Sequence, residues 1–235
     1  MEKYIIGTGW WCDGSGTHTH SKHQPYVDKK TRQVEFFDLW YKSVMKFTNP
    51  HNIVVIDSNS PIKPNIIDKE NVKLFSLNQN YGAAVDGTSK GILSGWDRSV
   101  LLSASISFLE DVDYFVYVEQ DCVLWGTNII EDIIRSMGDK KIALGSGIGT
   151  PQPIQQSLIV VKREYIPTFL KLEFDNDKEN LKISPENRYY KHFTNDIKFL
   201  EIDYGRKRPI DFNKKQFYIQ HLNTSELEQY KNKLL

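Results

Sequence analysis

The sequence predicts an α/β domain with a mostly parallel central sheet flanked by helices. Three observations lead there. Near-continuous apolar runs such as Asn52-Ile53-Val54-Val55-Ile56-Asp57 read as strands buried on both faces, which is the habit of parallel sheets. Between such runs, apolar residues recur three and four positions apart, the period of a helix. The strand-like runs also end in polar, acidic or glycine-containing segments, and in doubly wound sheets the carboxyl ends of the strands are where ligands sit.

The elements follow in order. Tyr4–Ile6 opens a first strand that runs into Gly7-Thr8-Gly9-Trp10-Trp11. A polar, glycine- and histidine-rich stretch from Asp13 to about Lys30 is a longer loop than most compact domains use, which marks it as mobile or functional. Residues 32–48 form a helix with Phe36, Trp40, Val44 and Phe47 on one face, Phe37 and Tyr41 beside them, and Asn49-Pro50 as the stop. Asn52–Asp57 is the second strand and Val72–Leu77 the third. Asn80-Tyr81-Gly82-Ala83-Ala84 and Gly87 precede a helix from about Asp97 to Leu109.

The fourth strand is the apolar run from Tyr114, which breaks at Glu119 and Asp121; a strand's alternation would put both acids on one side. Asn128–Met137 is an amphipathic helix, and Lys141–Leu144 and Ser157–Val161 are further strands. Ser184-Pro185-Glu186 has the form of an N-cap, a first-turn proline and a first-turn acid, opening a helix that carries Tyr189, Phe193, Ile197 and Leu200. Phe217–His221 is a last short strand, and a polar helix starts near Thr224. With no repeat, low-complexity tract or linker, the 235 residues read as one domain, in halves 1–137 and 138–235.

Composition bounds the function. Thirty basic and thirty acidic residues cancel, so no global field draws the chain to nucleic acid or membrane phosphates. No run reaches the roughly 18 apolar residues that span a bilayer. The first residues lack a basic segment followed by an apolar one, so a secretory signal is not expected and the cytoplasm is the expected location. Cys12 and Cys122 give neither zinc spacing nor a disulfide framework and are expected as free thiols.

With the first four strands parallel, their carboxyl ends deliver Thr8-Gly9-Trp10, Asp57-Ser58, Asn80-Tyr81-Gly82, and Glu119-Gln120-Asp121. That set offers an aromatic surface, a carboxylate for a base or ribose, small residues for close approach, and oxygen ligands suited to Mg²⁺ or Mn²⁺. A nucleoside diphosphate needs all of these.

In this order of motifs the chain resembles the GT-A type of nucleotide-sugar glycosyltransferase, over roughly residues 3–135 and again over 184–221. The resemblance implies a GT-A (Rossmann-like) fold with a small acceptor-side subdomain. It also implies a metal-dependent, inverting transfer of a hexosyl or deoxyhexosyl unit from a nucleoside diphosphate such as UDP to a hydroxyl, in glycan synthesis. In the family an Asp-X-Asp motif ends the fourth strand; here Glu119 stands for the first acid, and Asp121 matches the metal-binding one. A family histidine completing the metal site corresponds to His221. Thr8, Gly9, Trp10, Asp57, Asn80, Tyr81, Gly82, Arg98, Glu119 and Gln120 would then line the nucleotide-sugar site, with Asp121, His221 and Glu119 at the metal.

Inversion requires a carboxylate to take the acceptor hydroxyl's proton. Glu186 matches the family's location for that base, with Asp175 and Asp177 in reserve. As a plain first-turn acid it would simply stabilise its helix. Arg206-Lys207-Arg208 either clamps the leaving diphosphate or solvates a surface. Trp10, Trp11, Tyr26, Trp96 and Trp125 offer sugar-stacking faces or core, and Gln155 and Gln156 could reach sugar hydroxyls.

Other classes fit less well. Gly7-Thr8-Gly9 is followed by bulky Trp10 and Trp11 where a dinucleotide fingerprint needs a helix entry. No P-loop is present, and the glycine-rich N-terminal loop of a sugar-nucleotide pyrophosphorylase is missing. A metal-dependent phosphohydrolase and a non-catalytic carbohydrate-binding domain stay open.

Overall fold

The computed structural model describes residues 2–15, 27–82, 93–174, 183–200 and 205–234, the side chains of 173 and 174 excepted. Seven strands form one sheet: β1 (Tyr4–Trp10), β2 (Asn52–Asp57), β3 (Val72–Ser76), β4 (Tyr114–Val118), β6 (Ile142–Ser146), β7 (Ile154–Lys162) and β8 (Ile197–Leu200). Their spatial order is β3-β2-β1-β4-β7-β6-β8. The first four are mutually parallel, and β7 alone runs against its neighbours β4 and β6. Strand order reverses between β1 and β4, and in doubly wound sheets ligands bind at the carboxyl ends of the strands at such a reversal. A second sheet pairs β5 (Cys122–Trp125) with β9 (Phe217–Gln220), antiparallel.

Helices cover both faces. One face packs α1 (Val34–Phe47), α3 (Ile129–Ser136), α6 (Thr224–Leu234) and the small sheet into a core that includes Tyr4, Ile6, Trp10, Trp40, Val116, Val118 and Tyr230. The other packs α2 (Gly95–Leu109), α4 (Ile166–Phe174) and α5 (Pro185–Phe193) against Phe115, Tyr117, Ile159 and Val161. The alternation along β4 is the two-residue period of a strand buried on both sides.

The glycines of β1 exist for α2. A Cβ on Gly7 would lie 2.4 Å from the Ser103 Cβ, and one on Gly9 would lie 2.8 Å from the Ser99 Oγ. Ser99, Ser103 and Ser107 are all fully buried, and their hydroxyls bond back to carbonyls one turn earlier. A bare β1 backbone and a stripe of serines therefore bring helix and strand close together.

Three sequence-based expectations change. The apolar run from Tyr114 to Gly126 is two strands: Glu119–Cys122 forms a tight turn, with the Cys122 N–H donating to the Glu119 carbonyl at 3.0 Å. The helix expected to carry Ile197 and Leu200 ends at Phe193, and those two residues form β8 beside β6. Their spacing suits either period, and the open edge of β6 decides it. The 3-10 turn Lys29–Arg32, capped by the Asp28 side chain, stands at the end of what reads in sequence as loop.

Gly7→Ala is expected to lower the unfolding free energy by about 1–3 kcal/mol, the usual cost of overpacking. Urea denaturation would measure it, and Ser103→Gly in the same chain should restore most of the loss. Stability equal to the parent's would mean α2 is not seated on Gly7.

Candidate active site

Glu119, Gln120 and Asp121 occupy the turn that leaves β4 at the strand-order reversal. Glu119 and Asp121 are not alternate residues of one strand, yet their carboxylates still converge. The Gln220 amide donates to Asp121 Oδ1 at 3.0 Å and also to Glu119 Oε2. Asp121 has no solvent exposure; its Oδ2 accepts from Arg32 Nη2 at 2.7 Å and lies 3.4 Å from His221 Nε2. Residue 221 sits at φ 60°, a left-handed conformation that costs a non-glycine residue energy and concentrates at functional sites.

Basic side chains divide their work around this turn. Arg208 Nη2 donates to the carbonyls of Gln220 and His221, both at 3.1 Å, and its Nε pairs with Glu226. It is thus fastened behind the end of β9. Arg206 instead faces the acids, donating weakly to Gln220 Oε1 at 3.4 Å. Loss of hydration pushes the Glu119 carboxyl up to about 7; Asp121 and Glu186 add to that, and Arg206 and Arg32 oppose it.

Glu186 lies in the first turn of α5, 8% exposed, behind the Ser184 cap and Pro185. Two residues on, buried Arg188 meets buried Asp97 at 3.3 Å. Asp97 in turn completes the capping box that starts α2 at Ser94. The start of α5 is thereby tied to the start of α2, and Glu186 comes near enough to Glu119 for its charge to be felt there.

Several residues expected at the nucleotide also make contacts within the fold. Asp57 is fully buried: Oδ1 accepts from the Ser60 N–H and hydroxyl, and Oδ2 from Ser76 and Lys63. Burial alone would raise its pKa, but those hydrogen bonds outweigh burial and hold it below the usual carboxylate range. Gly9 faces Ser99 of α2. Trp10 is core, edge-on to Phe37, with its indole N–H donating to the Ile62 carbonyl. Thr8 is buried as well, its hydroxyl directed to the Gly9 carbonyl. The Gln120 amide makes paired bonds to the Trp11 backbone N–H and carbonyl, stitching the β4 turn to the end of β1.

Asn80, Tyr81, Gly82 and Arg98 do come together. Asn80 Oδ1 accepts from the Gly82 N–H at 2.8 Å, and the Arg98 guanidinium stacks 3.6 Å from the centre of the Tyr81 ring. Trp96 stands edge-on to Tyr117, with a buried indole N–H that no hydrogen bond satisfies. Trp125 belongs to an aromatic cluster with Phe47, Phe212, Phe217 and Tyr230. Gln155 donates to the Ser146 carbonyl, holding the β6–β7 connection, and Gln156 is partly buried beside it. Cys12 and Cys122 are both free and buried. Tyr26, Ala83, Ala84, Gly87, Asp175 and Asp177 lie outside the described residues. Arg32 and Gln220 were missed by the sequence reading: only the fold brings residues 32 and 220 to the turn at 119–122.

Among the described residues, no three His, Cys, Asp or Glu side chains are grouped to hold a metal ion. Two fit part of one. Adjacent ligands in an octahedron with bonds of about 2.1 Å stand about 3 Å apart, close to the Asp121–His221 separation. Glu119, held by the Gln220 amide, is a neighbour of that pair.

No protein-family model matches the chain, and no curated protein matches it. Solved structures share its fold. A glycosyltransferase involved in glycosylation of the major capsid of PBCV-1 superposes with a TM-score of 0.53 at 10% identity, covering 98% of both chains. HddC from Yersinia pseudotuberculosis gives 0.53 at 13% identity, with both chains covered in full. A putative glucose-1-phosphate thymidylyltransferase from Bacillus anthracis, in complex with sucrose, gives 0.52 at 8% identity, covering all of this chain and 95% of that one. The chain spans 45% of the length of the GlyE glycosyltransferase of Streptococcus pneumoniae and 39% of the bifunctional WbbM glycosyltransferase. The GT-A-like α/β fold expected from the sequence is therefore the fold observed. No described helix is long and apolar enough to cross a membrane.

Asp57→Asn is expected to cost about 1–3 kcal/mol at pH 7, because it weakens charge-assisted bonds inside the protein. A carboxyl held below its unfolded value of about 3.9 stabilises above that pH, and the gain fades as pH falls through the folded value. The deficit of the variant should therefore shrink below about pH 4 in a denaturation series. A deficit independent of pH would assign it to packing alone.

Proposed function

We propose that the chain is a glycosyltransferase that moves a sugar from a nucleoside-diphosphate donor to a hydroxyl acceptor. The observation that carries this reading is the convergence of Glu119 and Asp121, from the turn that leaves β4, with His221, from the end of β9, at the strand-order reversal. Ligands of doubly wound sheets bind at that place.

The nucleoside lies against the Tyr81–Arg98 stack and the Asn80–Gly82 turn. Its diphosphate points toward Arg206 and the Asp121–His221 pair. Asp121 and His221 would hold Mn²⁺ or Mg²⁺, which when bound would supply Lewis-acid compensation for the charge of the leaving diphosphate. Arg206 adds a fixed positive charge on the same side. Glu186 takes the proton of the acceptor hydroxyl as its oxygen forms the new glycosidic bond, and the sugar–diphosphate bond breaks on the opposite side, giving inversion. Partial burial of Glu186 keeps bulk water from competing for that position.

A second reading is nucleotidyl transfer to a sugar phosphate. It is favoured by the fold shared with the thymidylyltransferase, and opposed by the missing glycine-rich N-terminal loop. The products separate the readings: a nucleoside diphosphate from sugar transfer, pyrophosphate from nucleotidyl transfer, and free phosphate from a phosphohydrolase.

A panel of nucleotide-sugars screened by thermal shift with Mn²⁺ should reveal one donor, stabilising by about 2.7 kcal/mol at a hundredfold excess over Kd. With that donor, Glu186→Gln should lower kcat by about 10²–10⁴ and leave donor binding in place. Asp121→Ala should abolish metal-stimulated transfer in a chain that still melts cooperatively. Parental turnover in either variant would remove that residue from the mechanism.

A further inference from the structure

Arg32 has no part in the reading above, yet its guanidinium lies 2.7 Å from Asp121 Oδ2, nearer than His221 at 3.4 Å. Its setting is built. The Asp28 carboxylate caps the turn that carries it, accepting from the Lys30 N–H at 2.8 Å. The Asp28 N–H donates to the Leu222 carbonyl at 2.8 Å, so this turn is docked on the residue that follows His221. Thr31 within the turn is buried and its hydroxyl bonds the Asp28 carbonyl. The backbone that presents Arg32 and the backbone that presents His221 are thus fastened together at the same carboxylate.

The contact itself is a loose one for arginine. A guanidinium and a carboxylate usually meet through two parallel bonds. Here one terminal nitrogen reaches Asp121 Oδ2, the Arg32 Nε is buried with no hydrogen-bond partner, and the side chain is 25% exposed. The same Oδ2 is the oxygen that stands 3.4 Å from His221 Nε2. A divalent cation bridging Asp121 and His221 would arrive at an oxygen already holding a positive charge. Two cations on one carboxylate oxygen repel strongly in a site shielded from water.

We propose that the Arg32 guanidinium and a divalent cation are alternative occupants of Asp121 Oδ2. Arg32 is a resident counter-charge that keeps the buried carboxylate paired until the cation displaces it. The inference rests on the assignment of Asp121 and His221 as cation ligands in the proposed function. It assigns Arg32 as the residue that sets how tightly the cation binds. The displaced guanidinium stays at the cleft mouth, where diphosphate oxygens suit its planar array of donors.

The test measures cation binding without turnover. Mn²⁺ alone is titrated into the full chain, with free Mn²⁺ followed by electron paramagnetic resonance. Arg32→Gln is expected to bind one Mn²⁺ at least tenfold more tightly than the parent, and adding Asp121→Asn to it should abolish that site. Equal or weaker binding by Arg32→Gln, or a site that survives Asp121→Asn, overturns the proposal. A second arm needs no variant: Mg²⁺ is titrated into the parent while the arginine side-chain and histidine ring ¹⁵N resonances are followed. The Arg32 and His221 signals should move with one midpoint. Movement of His221 alone, or of neither, overturns it. Absence of sugar transfer from every donor, with cation binding as described, would fell the functional reading and leave the competition at Asp121 standing.

Discussion

A carboxylate with no solvent exposure is the constraint on which the site is built. Taking an ionised carboxylate out of water costs several kcal/mol unless charge and hydrogen bonds replace the lost hydration. Asp121 is surrounded accordingly: Arg32 on one oxygen, the Gln220 amide on the other, and His221 beside the first. The partners come from two stretches of chain, Arg32 from the turn before α1 and Gln220 with His221 from the end of β9, and both are anchored. The turn before α1 is tied to Leu222, the end of β9 is gripped by Arg208, and the 119–122 turn is stitched to β1 through Gln120. A single buried charge thus holds in register three segments that are far apart in sequence.

The fold was largely legible because its cause is periodic. Runs buried on both faces mark β1, β2 and β4, where Tyr4, Ile53 and Phe115 begin apolar runs, while the edge strand β3 is buried only at Val72. Legibility failed where one local pattern has two solutions. The apolar stretch 114–126 contains a turn whose three polar residues look like a strand end, and the bend that makes β5 a separate strand is imposed by pairing with β9. Ile197 and Leu200 suit a helix face and a short strand alike, and the choice is made by β6.

For the site, sequence identified chemistry but not orientation. Asp57 and Glu119 both end strands and both look available. Asp57 is consumed by Ser60, Lys63 and Ser76, whereas Glu119 stays partly exposed with its pKa raised. Gly7 and Gly9 suggest close approach, which is correct, but what approaches is the serine face of α2. Strand parity could have found this: Gly7 and Gly9 alternate with Ile6 and Trp10, so glycine and apolar side must face different layers. No local signal marks Arg32 or Gln220, since their role exists only through residues about ninety to a hundred positions away.

The distinction between fastening and presented residues explains the two sides of the strand-order reversal. On the side of β1 and β2, Asp57, Trp10 and Gln120 spend their polar atoms on the protein. At the acid side Asp121 meets an arginine held by one nitrogen, the Gln220 amide and a histidine at positive φ. Glu186 lies between the two regimes: its helix is locked to α2 through Arg188 and Asp97, while its own carboxylate remains within electrostatic reach of Glu119. The two sides of the strand-order reversal therefore differ in kind: one spends its polar groups inside the fold, and the other gathers charged side chains around a single buried carboxylate.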